Sequence, residues 1–237
     1  MIYVSTHASK RHSISEDAVL VGSDILIETS DVLPMPECGF ICVADGVGGN
    51  RGGDQASQYV LGELSKHPDT SDGDLAGLLK GINESLISTA AADCTATDMA
   101  TTLTGFYIES GRFTLVHVGN TRAYIKQGKY LKQITSDHTT YNWLLGSGHV
   151  EAAKNCNKNE ITNCFGGNNP ALLSRLLIRE CQQFSLALLT SDGVHDYVDL
   201  DSLEEIIMGE GWSIIILMNL QKIYLYKSIV YLIVLQL

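Results

Sequence analysis

Residues 101–134 read as four segments with two-residue periodicity, 101–108, 112–118, 122–126 and 130–134, broken by Ser110-Gly111, Gly119-Asn120 and Gln127-Gly128. Side chains of a strand point alternately to its two faces, and Gly or Asn supplies the positive φ of a tight hairpin, so the stretch predicts an antiparallel meander. Further apolar runs at 19–27, 39–44 and 184–190 predict buried strands. Helical spacing takes over elsewhere. Residues 54–66 place Ala56, Tyr59, Val60 and Leu64 on one face, and 75–92 do the same with Leu75, Leu78, Leu79, Ile82, Leu86 and Ile87. Short helices are expected within 139–154, and another at 200–208 with Asp199 or Asp201 at its start. Strands and helices come in blocks rather than in strict alternation, which predicts an α+β layered domain and not a doubly wound parallel sheet.

No internal repeat or low-complexity linker interrupts the 237 residues, a length that one core can fill. A formal net charge of −11 excludes nucleic acid as the general partner, because that affinity rests on Lys and Arg neutralising phosphates. The six cysteines, Cys38, Cys42, Cys94, Cys156, Cys164 and Cys181, form no CxxC pair, and the N-terminus lacks the basic-then-apolar pattern of a secretion signal. A reduced, cytoplasmic protein is expected. Cys38 and Cys42 share a strand face, where packing is the simpler role.

The residues that carry chemistry are acidic and stand at strand ends: Glu16 and Asp17 before one strand, Asp45-Gly46 after another, Asp192-Gly193 after the run LALLTS. Carboxylate oxygens are hard ligands suited to Mg2+ or Mn2+. Two such ions sharing a carboxylate can activate water and clamp a phosphoryl oxygen, so phosphoester hydrolysis is the expected reaction. Each Asp-Gly pair alone reads as an ordinary turn. Their order with other segments is more specific: SED (15–17), VADGVGG (43–49), MATTL (99–103), VGNTRAY (118–124), TSDHT (135–139) and LLTSDGVHDYV (188–198) follow one another along the chain.

In that order the segments resemble the successive motifs of metal-dependent type-2C Ser/Thr protein phosphatases of the compact bacterial kind. The resemblance implies a four-layer α-β-β-α sandwich of two mainly antiparallel sheets flanked by helices, with two Mg2+ or Mn2+ ions at one end. It implies hydrolysis of phosphoserine and phosphothreonine in proteins by a metal-bound water, without a phosphoenzyme. Carried over by motif, Asp45 would bridge the ions, the carbonyl of Gly46 would complete one of them, Asp192 would hold the other, and Glu16 or Asp17 would act directly or through water. The phosphate-binding arginine of the family falls at His12 here, with Arg11 one residue away, and Arg11 is assigned to clamp phosphate. A phosphorylated protein substrate and an opposing Ser/Thr kinase are the implied partners.

Departures from the pattern sharpen the expectation. Asn120 stands for an aspartate that helps to hold a third ion, and a neutral amide disfavours that ion. Asp137 and His138 match a motif that is more structural than catalytic. No Asp-Asn pair follows Asp192, although 213–220 resembles the last strand; Trp212 and Ser213 cannot replace the carboxylate the family carries there. Composition then divides the chain into a phosphatase-like domain, 1–220, and an atypical apolar tail, 221–237. From Ile223 that tail is shorter than the roughly 20 residues that span a bilayer, so a membrane is not expected; a strand or an aggregation-prone tail suits it better. The missing carboxylate leaves a second reading open, a weak or inactive phosphatase-like module that binds a phosphoprotein or another partner.

Overall fold

A computed structural model of the chain describes residues 1–8, 15–47, 52–70, 74–92, 98–208 and 229–235. The first part contains β1 (Ile2–His7), β2 (Asp17–Val21), β3 (Asp24–Leu26), β4 (Ser30–Leu33) and β5 (Gly39–Asp45), followed by helices α1 (Gly53–Leu64) and α2 (Leu75–Ala92). The middle holds β6 (Ala100–Thr101), β7 (Leu103–Glu109), β8 (Arg112–Val118), β9 (Arg122–Gln127) and β10 (Tyr130–Gln133). Helices α3 (Thr140–Gly146) and α4 (Val150–Asn155) come next, then β11 (Phe165–Gly166), a 3-10 turn at Pro170–Leu173, β12 (Leu177–Glu180) and β13 (Leu186–Thr190). The one-turn helix α5 (Asp192–His195), α6 (Leu200–Met208) and β14 (Ile229–Leu235) complete the set. Local chemistry marks several ends: the Thr139 hydroxyl accepts from the Asn142 N–H at the start of α3, and Asp199 accepts from the Ser202 N–H at the start of α6.

Twelve of the described strands form two six-stranded sheets, in the orders β12-β8-β7-β5-β2-β3 and β10-β9-β13-β14-β1-β4, and β11 pairs with β6 in a two-stranded one. Their pairings are antiparallel throughout. Three apolar clusters fill the spaces between layers. One lies between α1, α2 and the first sheet and includes Leu61, Leu64, Leu79, Leu86, Phe40 and Tyr107. The second, with Val4, Ile41, Val43, Phe106, Phe113 and Leu189, lies between the sheets. The third joins the second sheet to α5 and α6 through Tyr124, Leu188, Val194 and Leu203. This is the α-β-β-α sandwich, and each strand of a sheet buried on both faces is apolar on both, as in β2 and β5. Cys42 packs in the first cluster, where burial raises its thiol pKa.

Two local readings change. Residues 19–27 are not one strand: Gly22, at φ 61°, turns the chain between β2 and β3. The stretch 101–134 is not one meander either, because β7 and β8 belong to the first sheet and β9 and β10 to the second. The chain crosses between layers at Gly119, whose φ is 111° and where a Cβ would lie 2.5 Å from Thr102 Cγ2. Hairpin periodicity is the same whether successive hairpins share a sheet or face each other, so the crossing leaves no mark on it.

Within the apolar tail, residues 229–235 form a strand set between β1 and β13, with Val4 opposite Leu232 and Thr190 opposite Tyr231. Residues 213–220, which resemble a last strand, and the division at 220/221 lie outside the described residues. No helix among the described residues is long and apolar enough to cross a membrane.

Candidate active site

Antiparallel pairing of β2 with β5 sets Asp17 directly opposite Asp45 at the ends of both strands. Their side chains share a hydrogen bond. From the second sheet, β13 ends at Thr190, and Ser191 donates its hydroxyl to Asp17 Oδ2 at 3.2 Å. Asp192, the first residue of α5, follows at once and accepts from Asn120 Nδ2 at 3.3 Å. Asp17, Asp45 and Asp192 therefore meet at one end of the sandwich, with Glu16 beside them. Asp17 is 2% exposed. Burial raises its pKa most; hydrogen bonds from the Asp45 and Ser191 side chains pull it down, while the charges of Asp192 and Glu16 push it up.

The Asp45-Gly46 turn is fastened by the segment 99–103. Thr102 N–H and Thr101 Oγ1 both donate to the Asp45 carbonyl, at 2.9 and 3.0 Å, and the Asp45 N–H donates to Thr102 Oγ1 at 3.1 Å. Val47 N–H reaches the Ala100 carbonyl and Gly46 N–H the Glu16 carbonyl. Glycine is required at 46 because a Cβ would lie 2.5 Å from the Gly53 backbone, where α1 begins. The turn is thus pinned between β2, β6 and α1.

The VGNTR segment supports the same end. His138 Nδ1 accepts from the Gly119 N–H at 3.2 Å, and its ring packs on that of His117, 4.8 Å between centroids. His117 is fully buried and bonded to Thr104 Oγ1 and the Ser136 carbonyl. Arg122 grips Asp137 with Nε and Nη2, at 2.7–3.1 Å. Arg122 and His138 thereby hold the crossing segment. Asn120 is 4% exposed, and its Oδ1 has no hydrogen-bond partner among the described residues.

The structure brings Asp17, Asp45, Gly46, Asp192 and Glu16 together, while Arg11 and His12 lie outside the described residues. Ser191 and Asn120 are hydrogen-bond partners of the aspartates that sequence reasoning missed; the sequence marks Asn120 only as the residue standing for a third-ion aspartate, and Ser191 only by its place before Asp192. No group of three or more His, Cys, Asp or Glu side chains among the described residues forms a ready-made metal cage. The donor set suits instead a hydrated hard cation that shares carboxylates with carbonyl oxygen and water, since Mg2+ characteristically keeps several waters. A buried carboxylate facing three others is the kind of site such a charge stabilises.

The family model described as Protein phosphatase 2C matches residues 33–213. The chain belongs to the protein phosphatase 2C family. Among its relatives, the serine/threonine protein phosphatase PstP of Mycobacterium tuberculosis is 30% identical over 174 residues, 70% of this chain and 34% of PstP. This chain therefore spans about a third of the length of that phosphatase 2C relative. The serine/threonine phosphatase stp of Listeria monocytogenes is 26% identical over 183 residues, 72% of each chain. The crystal structure of Stp1 from Staphylococcus aureus superposes with a TM-score of 0.79 at 22% identity, covering 100% of this chain and 94% of Stp1. That likeness shows the phosphatase 2C fold.

Proposed function

We propose that this chain is a metal-dependent protein-serine/threonine phosphatase that hydrolyses phosphoserine and phosphothreonine in proteins. The observation that carries the reading is the meeting of Asp17, Asp45 and Asp192 at one end of the sandwich, with Asp17 buried and held by both sheets. Asp45, Asp192 and the Gly46 carbonyl would hold two ions, Mg2+ or Mn2+, with Asp17 and Glu16 acting directly or through water. Such ions supply Lewis-acid polarisation of a phosphoryl oxygen and a lowered pKa for water. The chain's own part is positional: Ser191 orients Asp17, Asn120 orients Asp192, and the 99–103 segment fixes Asp45. Arg11 is the proposed phosphate clamp. Support for two ions comes from the PstP catalytic domain, crystallised with two manganese ions, which matches with a TM-score of 0.70 at 20% identity over 98% of each chain. A cytoplasmic setting and an opposing Ser/Thr kinase belong to the same reading.

One observation favours the alternative, a weak or inactive module that binds a phosphoprotein. No Asp-Asn pair follows Asp192 in the sequence, so the carboxylate that the family carries at the opening of its last strand has no counterpart by motif. Hydrolysis of a phosphothreonine peptide at graded Mn2+ and Mg2+ separates the two. Metal-dependent turnover that disappears in Asp45→Ala and in Asp192→Ala supports the phosphatase; folded protein that stays silent at high Mn2+ supports the binding module.

A further inference from the structure

Ile2 and Val4 of β1 belong to the apolar cluster between the sheets, and two-residue periodicity puts Thr6 on the same face of the strand. Thr6 is fully buried, and its Oγ1 has no hydrogen-bond partner among the described residues. Valine has the same shape, suits a strand equally well and would leave no polar group unsatisfied there. A buried hydroxyl without a partner is costly, so its presence in place of a methyl group points to something that comes to meet it.

The carboxylates stand at the same level. Val19 and Val21 of β2 and Ile41 and Val43 of β5 face the cluster between the sheets, so Asp17 and Asp45, two residues along from Val19 and Val43, are on that face too. β1 packs against β2 across the space between the layers. Within the second sheet, Ser5 and Thr190 both stand opposite Tyr231, and β1 and β13 run the same way because each is antiparallel to β14. The residues that follow, Thr6 and Ser191, therefore lie one step further toward the same end. Beyond Val4, Val19, Val43 and Leu189 the apolar core gives way to a layer of Thr6, Asp17, Asp45 and Ser191. Ser191 commits its hydroxyl to Asp17 Oδ2 at 3.2 Å. Thr6, two strands away from it in the sheet, brings a second hydroxyl to the layer.

We infer that Thr6 is a positioning residue of the proposed metal site, its Oγ1 accepting a hydrogen bond from a water of the hydrated cation that the carboxylates hold. A hard cation such as Mg2+ keeps several waters, and its charge makes them strong donors that need acceptors. Groups one bond removed from the metal orient what binds it and set its affinity. The inference rests on the metal-dependent reading above. It assigns Thr6 to the site although β1 contributes no carboxylate to it.

The experiment compares the parent chain with Thr6→Val, which removes the hydroxyl and keeps the shape, and with Thr6→Ser, which keeps the hydroxyl. Thermal melts in EDTA and calorimetric titration with Mn2+ are the readouts, and neither needs turnover. Thr6→Val is expected to melt about 2–4 °C above the parent in EDTA, because an unsatisfied buried group is gone, and yet to bind Mn2+ about tenfold more weakly. Thr6→Ser is expected to keep the parent's Mn2+ affinity even where it melts lower. A Thr6→Val chain that melts below the parent in EDTA shows a hydroxyl already bonded within the protein and overturns the assignment. Mn2+ affinity equal to the parent's in Thr6→Val, or lost equally in Thr6→Ser, overturns it as well. In each of these cases the parent still binds Mn2+ and the metal-dependent reading stands; a parent that takes up no Mn2+ defeats that reading and the role of Thr6 with it.

Discussion

Asn120 connects the crossing segment to Asp192 through a single hydrogen bond of 3.3 Å, and a carboxylate in its place would face Asp192 as a like charge. Two neighbouring carboxylates repel when no cation is present and bind one more tightly when it is. Asn120→Asp is therefore expected to melt lower than the parent in EDTA and to gain more from added Mn2+; paired thermal melts check both signs. His138 gives a pH dependence. Burial, the His117 ring and the charge of Arg175 hold its pKa down, to about 3 from an ordinary 6.5. His117, also lowered by burial, is offset in part by the Ser136 carbonyl and Asp137. Between pH 6.5 and about 3 the unfolded chain binds a proton at His138 that the folded chain does not, so stability falls as pH drops through that window. In His138→Asn an amide oxygen can still accept from the Gly119 N–H. Urea midpoints at pH 7.5 and 5 should then draw closer together than in the parent, with His117 supplying what dependence remains. Asp45 and Asp192 were legible as strand-end carboxylates in order, each followed by the glycine of an Asp-Gly pair. Their helpers were not, because Ser191 meets Asp17 across 174 positions of sequence.

Helix α2 was readable to its ends from spacing alone, since Leu75, Leu79, Ile82 and Leu86 recur at three and four residues and all are buried against the first sheet. Leu79, fully buried, makes a clean test: Leu79→Ala is expected to cost about 2–5 kcal/mol by removing apolar contact and leaving a cavity. Chemical unfolding measures the loss, and with the proposed ligands Asp45 and Asp192 untouched, Mn2+ affinity of the folded protein should stay unchanged. The hairpin arms were legible with their nearest partners, β7 with β8 and β9 with β10, but the sheet each hairpin joins was not. β7-β8 and β9-β10 look like successive arms of one meander, yet Thr104 and Thr121, hydrogen-bonded to each other, lie on either side of a change of sheet. Short elements such as β1 and β4 carry too little pattern to stand out, and pairing defines them, β4 with β1 and β1 with β14 on its other side.

At the scale of the molecule, the proposed active end exists because strands of both sheets bring their ends to the same place. Asp17 and Asp45 come from one, Ser191 and Asp192 follow a strand of the other, and Asn120 sits on the crossing between them. The strand at 229–235 holds the second sheet together by pairing with β1 on one side and β13 on the other. A chain ending at residue 228 would leave both with unpaired backbone groups, and each unpaired buried group costs about 1–3 kcal/mol. It is expected to lose cooperative melting in circular dichroism and, with it, Mn2+-dependent stabilisation; a sharp transition would show that β1 and β13 close up without this strand. Periodicity, turn residues and motif order are local properties, and they were sufficient for the α+β class, the family resemblance and the strand-end aspartates. Sheet membership, the setting of Asp17 opposite Asp45, the tail strand's central place and the placing of Thr6 in the carboxylate layer depend on which distant segments share a buried face. That choice follows from the packing of whole layers against one another, which no short window of residues contains.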